Sequence, residues 1–325
     1  MKFTKTQLKG MVLLLTCALF WGSTFIVQDI CSGTPFTLTT LRFSFGTIIM
    51  LPILLVSNKL RARSKEDAII LKETQRKTVK GGIICGMVLA LSSTLQQIGF
   101  ALGTTAGKAG VLSGLYMIFI PFALYFLFKR KLSPNVWVAA LLAVVGTFLI
   151  SFSGASDFCL GDVIMIISAV SYTAHVILVD KFVAKGDVFM LSQLQLLFCS
   201  LTSAVPFIIV NITGFEVLTW ELFTFLFPYL LSIAFFSCVG AYTLQILGQK
   251  YTPPTAASII MSLESVFALV FGVIILGETF TLSAGIGIAV MFLAIFLSQV
   301  NVFEKRKKPC QIRTQQSKNN FSDKE

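Results

Sequence analysis

Two ionisable residues stand inside long apolar stretches of this 325-residue chain, Arg42 and Glu264. A carboxylate so placed can bind an ammonium group, or take and release a proton. A guanidinium can hold a carboxylate or phosphate through parallel N–H donors. Taking either charge out of water is expensive, so each is a candidate for function, with structural ion pairing as the alternative. Uncharged polar candidates accompany them. Gln96, Gln97 and Gln245 carry amides that line a polar path or bond neighbouring helices. Tyr116, Trp21 and Tyr242 each offer a ring face and one polar atom, for packing or for a ligand. His175, the single histidine, could join a proton relay or be a satisfied interior residue. Lys108 could steer anions inward, or extend its ammonium harmlessly to an interface.

Other chemistry fails on spacing. Gly107-Lys108 lacks the rest of a phosphate-binding loop, because Leu102 stands where the upstream Gly belongs and Ala109 follows the Lys. His175 and Asp180 have an H-x4-D spacing within an apolar run, with no acyltransferase motif around them. The seven cysteines form no C-x-x-C pair, and with one His they make no metal cluster. No catalytic residue, metal or cofactor is expected. A Cys31–Cys159 disulfide is not favoured, and the sequon Asn211-Ile212-Thr213 lies too close to an apolar run to be read as glycosylated.

The elements that must position these residues follow from composition. Hydrophobic residues make up 55% of the chain and charged residues 13%, with 31 Phe. Mean hydropathy is +0.85. A soluble fold of this length cannot bury so much apolar surface, and a disordered or secreted disulfide-rich chain is excluded by the same figures. The chain reads as an all-α integral membrane protein. Apolar runs near 10–30, 35–57, 81–102, 106–128, 134–152, 161–180, 188–210, 225–247, 254–276 and 281–300 predict ten transmembrane helices. The charged connection 58–80 is either a solvated linker or a short surface helix at Ala68-Ile69-Ile70-Leu71.

Basic residues set the topology. Lys and Arg total 26, and 24 of them fall at the N-terminus, in alternate connections, or in the tail with its run Lys305-Arg306-Lys307-Lys308. The intervening connections carry Asp29, Asp157, Glu216, Glu221 and Glu278. That alternation places both termini in the cytoplasm. The pI near 9.4 therefore reports orientation in the bilayer and not nucleic-acid binding. The N-terminal apolar run is too long for a cleaved signal and lacks a small-x-small site. The expected location is a bacterial plasma membrane.

The halves echo each other at an offset near 149 residues. Leu95-Gln96-Gln97-Ile98-Gly99 corresponds to Leu244-Gln245-Ile246-Leu247-Gly248, and Ala106-Gly107-Lys108-Ala109 to the region of Ala256-Ala257-Ser258. This divides the chain into repeats over 10–152 and 156–300 and a basic tail over 301–325. Five helices per repeat is odd, so the second copy must lie inverted. Inverted repeats place a site near the midplane between the halves. Glu264, about ten residues into its helix, lies roughly 15 Å deep. Glycines at four-residue spacing, Pro121 and Pro253-Pro254 are candidate points of helix sliding or loosening.

Trp21-Gly22-Ser23-Thr24-Phe25, Leu41-Arg42-Phe43, Ser262-Leu263-Glu264 and Leu276-Gly277-Glu278, in this order, resemble the EamA-type family of the drug/metabolite transporter superfamily. The resemblance covers about residues 10–300. It implies two inverted five-helix repeats, a central cavity and ATP-independent movement of small metabolites. Two departures from the family pattern are Lys129-Arg130-Lys131 in place of an acid and Ser171-Tyr172 in place of a frequent Trp. The expectation is a secondary transporter with a small-molecule substrate, the lipid bilayer as its medium and a proton as candidate coupling ion. Glu264 with Arg42 slightly favours an amino-acid-like zwitterion. A non-transporting scaffold and, more remotely, an intramembrane enzyme are the rival classes. The residues do not select substrate, direction, coupling ion or oligomeric state.

Overall fold

An apolar run in hydrocarbon has no water to satisfy its amides, and a helix closes those bonds within the segment. The computed structural model describes residues 5–151, 158–276 and 281–302, and every regular element in them is helical. The first half comprises α1 (Lys5–Ile30), α2 (Pro35–Arg61), α3 (Lys65–Ala101), α4 (Ala106–Gly114), α5 (Tyr116–Phe126) and α6 (Pro134–Ser151). The second comprises α7 (Leu160–Val183), α8 (Val188–Ile212), α9 (Trp220–Ile233), α10 (Tyr242–Gln249), α11 (Pro254–Met261), α12 (Glu264–Phe271) and α13 (Leu282–Val302). A π-helix over Ala234–Ala241 joins α9 to α10 without interruption, and another over Gly272–Leu276 follows α12.

Eight stretches are long and apolar enough to cross a bilayer, and two shorter apolar helices occupy Pro134–Leu149 and Leu282–Leu297. Large apolar side chains such as Ile48, Leu141, Ile208 and Phe292 face outward, while Arg42, Glu264, Gln195 and Gln245 are buried. A soluble protein has the reverse arrangement. The molecule is an integral, multi-pass membrane protein.

Two expectations need correction. The connection 58–80 is mostly helix, since α2 runs to Arg61 and α3 starts at Lys65. Ser64 and Asp67 form a capping box there: the Ser64 hydroxyl accepts from Asp67 N at 3.0 Å, and Asp67 Oδ2 accepts from Ser64 N at 3.2 Å. The fourth predicted span is broken at Leu115, while Pro121 sits inside α5. Cys31 and Cys159 are both free thiols. The Gly277-Glu278-Thr279 junction, Asp157 and the basic run of the tail lie outside the described residues.

The pattern of packing is kept when the halves are exchanged. α2 lies on α8, and α6 on α13. α3 packs on α7 as α10 packs on α1. α4 and α5 meet α7 as α11 and α12 meet α1. The breaks match as well. Leu115 N bonds Leu112 O at 3.4 Å, and Leu263 N bonds Ile260 O at 3.2 Å, so both spans tighten to i→i+3 bonds before the helix restarts. Tyr116 opens the second piece in one half and Glu264 in the other.

Candidate functional site

Glu264 owes its position to small residues on two neighbours. A Cβ on Gly22 of α1 would come within 2.7 Å of the Glu264 main-chain oxygen and 2.6 Å of Phe267 Cβ. Only glycine allows that approach. On the other flank, Ser265 Oγ donates to the Gly110 main-chain oxygen of α4 at 2.8 Å. The first turn of α12 is thus wedged between α1 and α4, and it presents Glu264 to the interior.

That interior is a cavity lined by α1, α2, α3, α4, α5, α7, the first π-helix, α10 and α12. Glu264 and Arg42 both line it, at 4% and 2% exposure. Among the described residues neither forms an ion pair. Arg42 Nη1 donates to Gln28 Oε1 at 2.7 Å, and Arg42 Nε has no partner. The Tyr116 hydroxyl and both polar atoms of the Gln245 amide are also buried without partners. Each such atom costs about 1–3 kcal/mol unless something bonds it.

Aromatic rings line the same cavity. Trp21 meets Tyr242 edge to face, with centroids 5.2 Å apart. Tyr172 is tethered by Ser93 Oγ at 3.1 Å and donates to Gln96 Oε1 at 3.3 Å. Phe25 completes the lining. Rings of this kind accept an apolar body or an ammonium on their faces. The π-helix contributes Ser237 and delivers Tyr242 at its end. Such irregular turns are frequent at functional sites.

Of the residues singled out in the sequence, Trp21, Arg42, Gln96, Tyr116, Tyr242, Gln245 and Glu264 share this cavity. Three do not line it. Gln97 turns away and donates from Nε2 to the Gln28 main-chain oxygen at 3.0 Å. His175 contacts Gln195 Oε1 at 3.2 Å and stands edge-on to Tyr242. Lys108 is ion-paired to Asp162 Oδ2 at 3.1 Å, so its charge is answered within the protein. Gln28, Phe25, Ser113, Tyr172, Val176 and Ser237 are not singled out by type or spacing, yet they line the cavity. Gln28 has one readable signal, since it lies two turns beyond Trp21 on the same helix face.

Comparison with known proteins agrees with this architecture. A solved crystal structure superposes with a TM-score of 0.68, covering 92% of this chain and 99% of that one. Its sequence identity is 16%, so the likeness concerns the fold. An uncharacterized transporter of Archaeoglobus fulgidus is 30% identical over 88% of this chain and 84% of its own length. The uncharacterized transporter YetK of Bacillus subtilis is 26% identical over 94% of this chain and 90% of its own. The model of the EamA-like transporter family matches twice, over 8–152 and 159–299. Both halves of the chain carry the same unit, and the chain belongs to the EamA-like transporter family.

Proposed function

We propose that the protein is an ATP-independent secondary transporter of a small amphipathic zwitterion of amino-acid type. In this reading, ten helices cross a plasma membrane with both termini in the cytoplasm, and the two repeats lie inverted. The cavity itself is the main support. A carboxylate and a guanidinium that have no ion-pair partner among the described residues share one chamber with several aromatic rings. A zwitterion would bring its ammonium to Glu264 and its carboxylate to Arg42. It would also bond the free Tyr116 hydroxyl and Gln245 amide, offsetting the cost of their burial. Glu264 is the group best placed to exchange a coupling proton. The matched breaks at Leu115 and Ser262-Leu263 give each half a joint about which one bundle could rock.

The test is ligand-dependent thermal stabilisation of the purified protein in detergent, across amino acids, sugars, nucleosides, vitamins and cationic drugs. A ligand of the native state raises the midpoint by mass action. The expected result is stabilisation by one or more amino acids that disappears in Glu264→Gln. Stabilisation that survives unchanged in Glu264→Gln would remove that residue from the site. A panel with no amino-acid response would remove the substrate class.

A further inference from the structure

Arg42 is held by an amide where an acid is the usual partner of a buried guanidinium. Its Nη1 donates to Gln28 Oε1 at 2.7 Å, and both side chains are buried, at 2% and 4% exposure. Gln28 is itself fixed from two sides. Its Nε2 reaches the Thr24 main-chain oxygen at 3.5 Å, and Gln97 Nε2 of α3 donates to the Gln28 main-chain oxygen at 3.0 Å. The chain Gln97, Gln28, Arg42 therefore ties α3, α1 and α2 together and sets the direction of the guanidinium. A carboxylate at position 28 would give the same hydrogen bond and cancel the charge. The amide gives the bond and leaves the charge in place, with Nε still unpartnered beside the cavity.

We propose that Gln28 is a specificity-determining residue. Its neutral carboxamide positions Arg42 without neutralising it, and so reserves this end of the cavity for the carboxylate of the ligand. The inference rests on the binding role proposed for the cavity above. It adds that the anionic end of the ligand is selected at the contact of α1 with α2, by a residue that is not itself charged.

Gln28→Glu is nearly isosteric and tests this directly. Three matched probes are used on the purified protein: leucine, 4-methylpentanoate, which keeps only the carboxylate, and isopentylamine, which keeps only the ammonium. Without ligand, the Gln28→Glu midpoint should rise by several degrees, because the new carboxylate pairs a lone buried cation. Leucine and 4-methylpentanoate should stabilise the wild type and lose that effect in the variant. Isopentylamine should stabilise both alike. A fall in the unliganded midpoint would mean that Arg42 is already compensated, and would overturn the inference. So would a retained response to 4-methylpentanoate.

Gln28→Met keeps the charge and removes the acceptor. It should weaken the response to 4-methylpentanoate by about tenfold in concentration, the equivalent of one hydrogen bond to a charged group, and spare isopentylamine. An unchanged response to the acid would also overturn the inference. If isopentylamine alone stabilises the wild type, the cavity reading survives and the role of Gln28 fails. If no probe does, the role of Gln28 fails, and the cavity reading is decided separately by the full amino-acid panel.

Discussion

The crossing of α3 with α7 and the crossing of α1 with α10 use one geometry at two places in the molecule. At the first, a Cβ on Gly161 would strike the main-chain oxygen of Gly99 and come within 2.7 Å of Thr104 Oγ1. At the second, a Cβ on Gly10 would come within 2.5 Å of Thr252 Oγ1, and one on Gly248 within 2.5 Å of Leu14 Cγ. Paired glycines bring the helices together in both places. The forces that then hold them differ. Beside Gly161, Asp162 accepts from Thr104 Oγ1 at 2.9 Å, from Lys108 Nζ at 3.1 Å and from Cys159 N at 3.1 Å. Beside Gly10, Leu14 is fully buried and Lys9 lies over the Tyr251 ring at 5.2 Å. Among the described residues no ion pair joins α1 to α10 or α11.

The repeats thus keep the shape of the crossing and vary its fastening. Thr104, just past α3, and Lys108, on α4, both reach Asp162 on α7, so parting α7 from them breaks two bonds to a buried charge. Apolar contact yields gradually and leaves no orphaned charge behind. The α1 crossing is therefore expected to part at lower cost. Polar groups near α10 agree with that direction. His175 Nδ1, Gln195 Nε2 and Gln249 Oε1 are buried without partners among the described residues. Water reaching those three atoms would relieve their burial, whereas water at Asp162 would only replace bonds already made.

Three tiers of variants put this contrast at risk. Asp162→Ala carries the largest expected effect. It removes the acceptor of Thr104 and Lys108 from a buried site and should lower stability by roughly 3 kcal/mol, read as a lower melting midpoint. A loss below about 1 kcal/mol would place the strength of that crossing elsewhere. Gly161→Ala and Gly248→Ala come next. Each inserts a methyl group where neighbouring atoms already stand, and each should cost about 2 kcal/mol. Similar losses would show that both crossings depend on close approach. A tolerated Gly248→Ala would show that the apolar crossing has room to yield. Lys9→Ala is the mildest. It removes one contact with a ring and should cost about 0.5–1 kcal/mol. A loss matching that of Asp162→Ala would erase the difference between the two fastenings.

Much of the frame is legible in the sequence, because the properties that create it are compositional. Apolar runs announce helices, and a charge inside such a run is conspicuous, which is why Arg42 and Glu264 stand out. What is not legible depends on rotation and distance. Gln96 and Gln97 are adjacent, and a helix turns about 100° between them, so one faces the cavity and the other faces Gln28. No pattern in the chain tells which. Lys108 and Asp162 are far apart in sequence, and only the fold joins them. Tyr172 and Ser237 are ordinary residues for a membrane helix and become cavity walls through packing alone. The N-terminal extension of α3 has a local signal in Ser64 and Asp67, three residues apart, but its charged surface reads equally well as linker.

Transport by way of Glu264 is best tested by uptake of labelled amino acids into proteoliposomes holding the purified protein, with no ATP present. The wild type and Glu264→Gln are compared side by side. Saturable uptake of at least one amino acid is expected of the wild type. In Glu264→Gln the expected rate falls about tenfold or more, consistent with loss of a charged contact to the substrate, while the melting midpoint stays near the wild-type value. Equal uptake by the two proteins would contradict the assignment of Glu264 to the transport site.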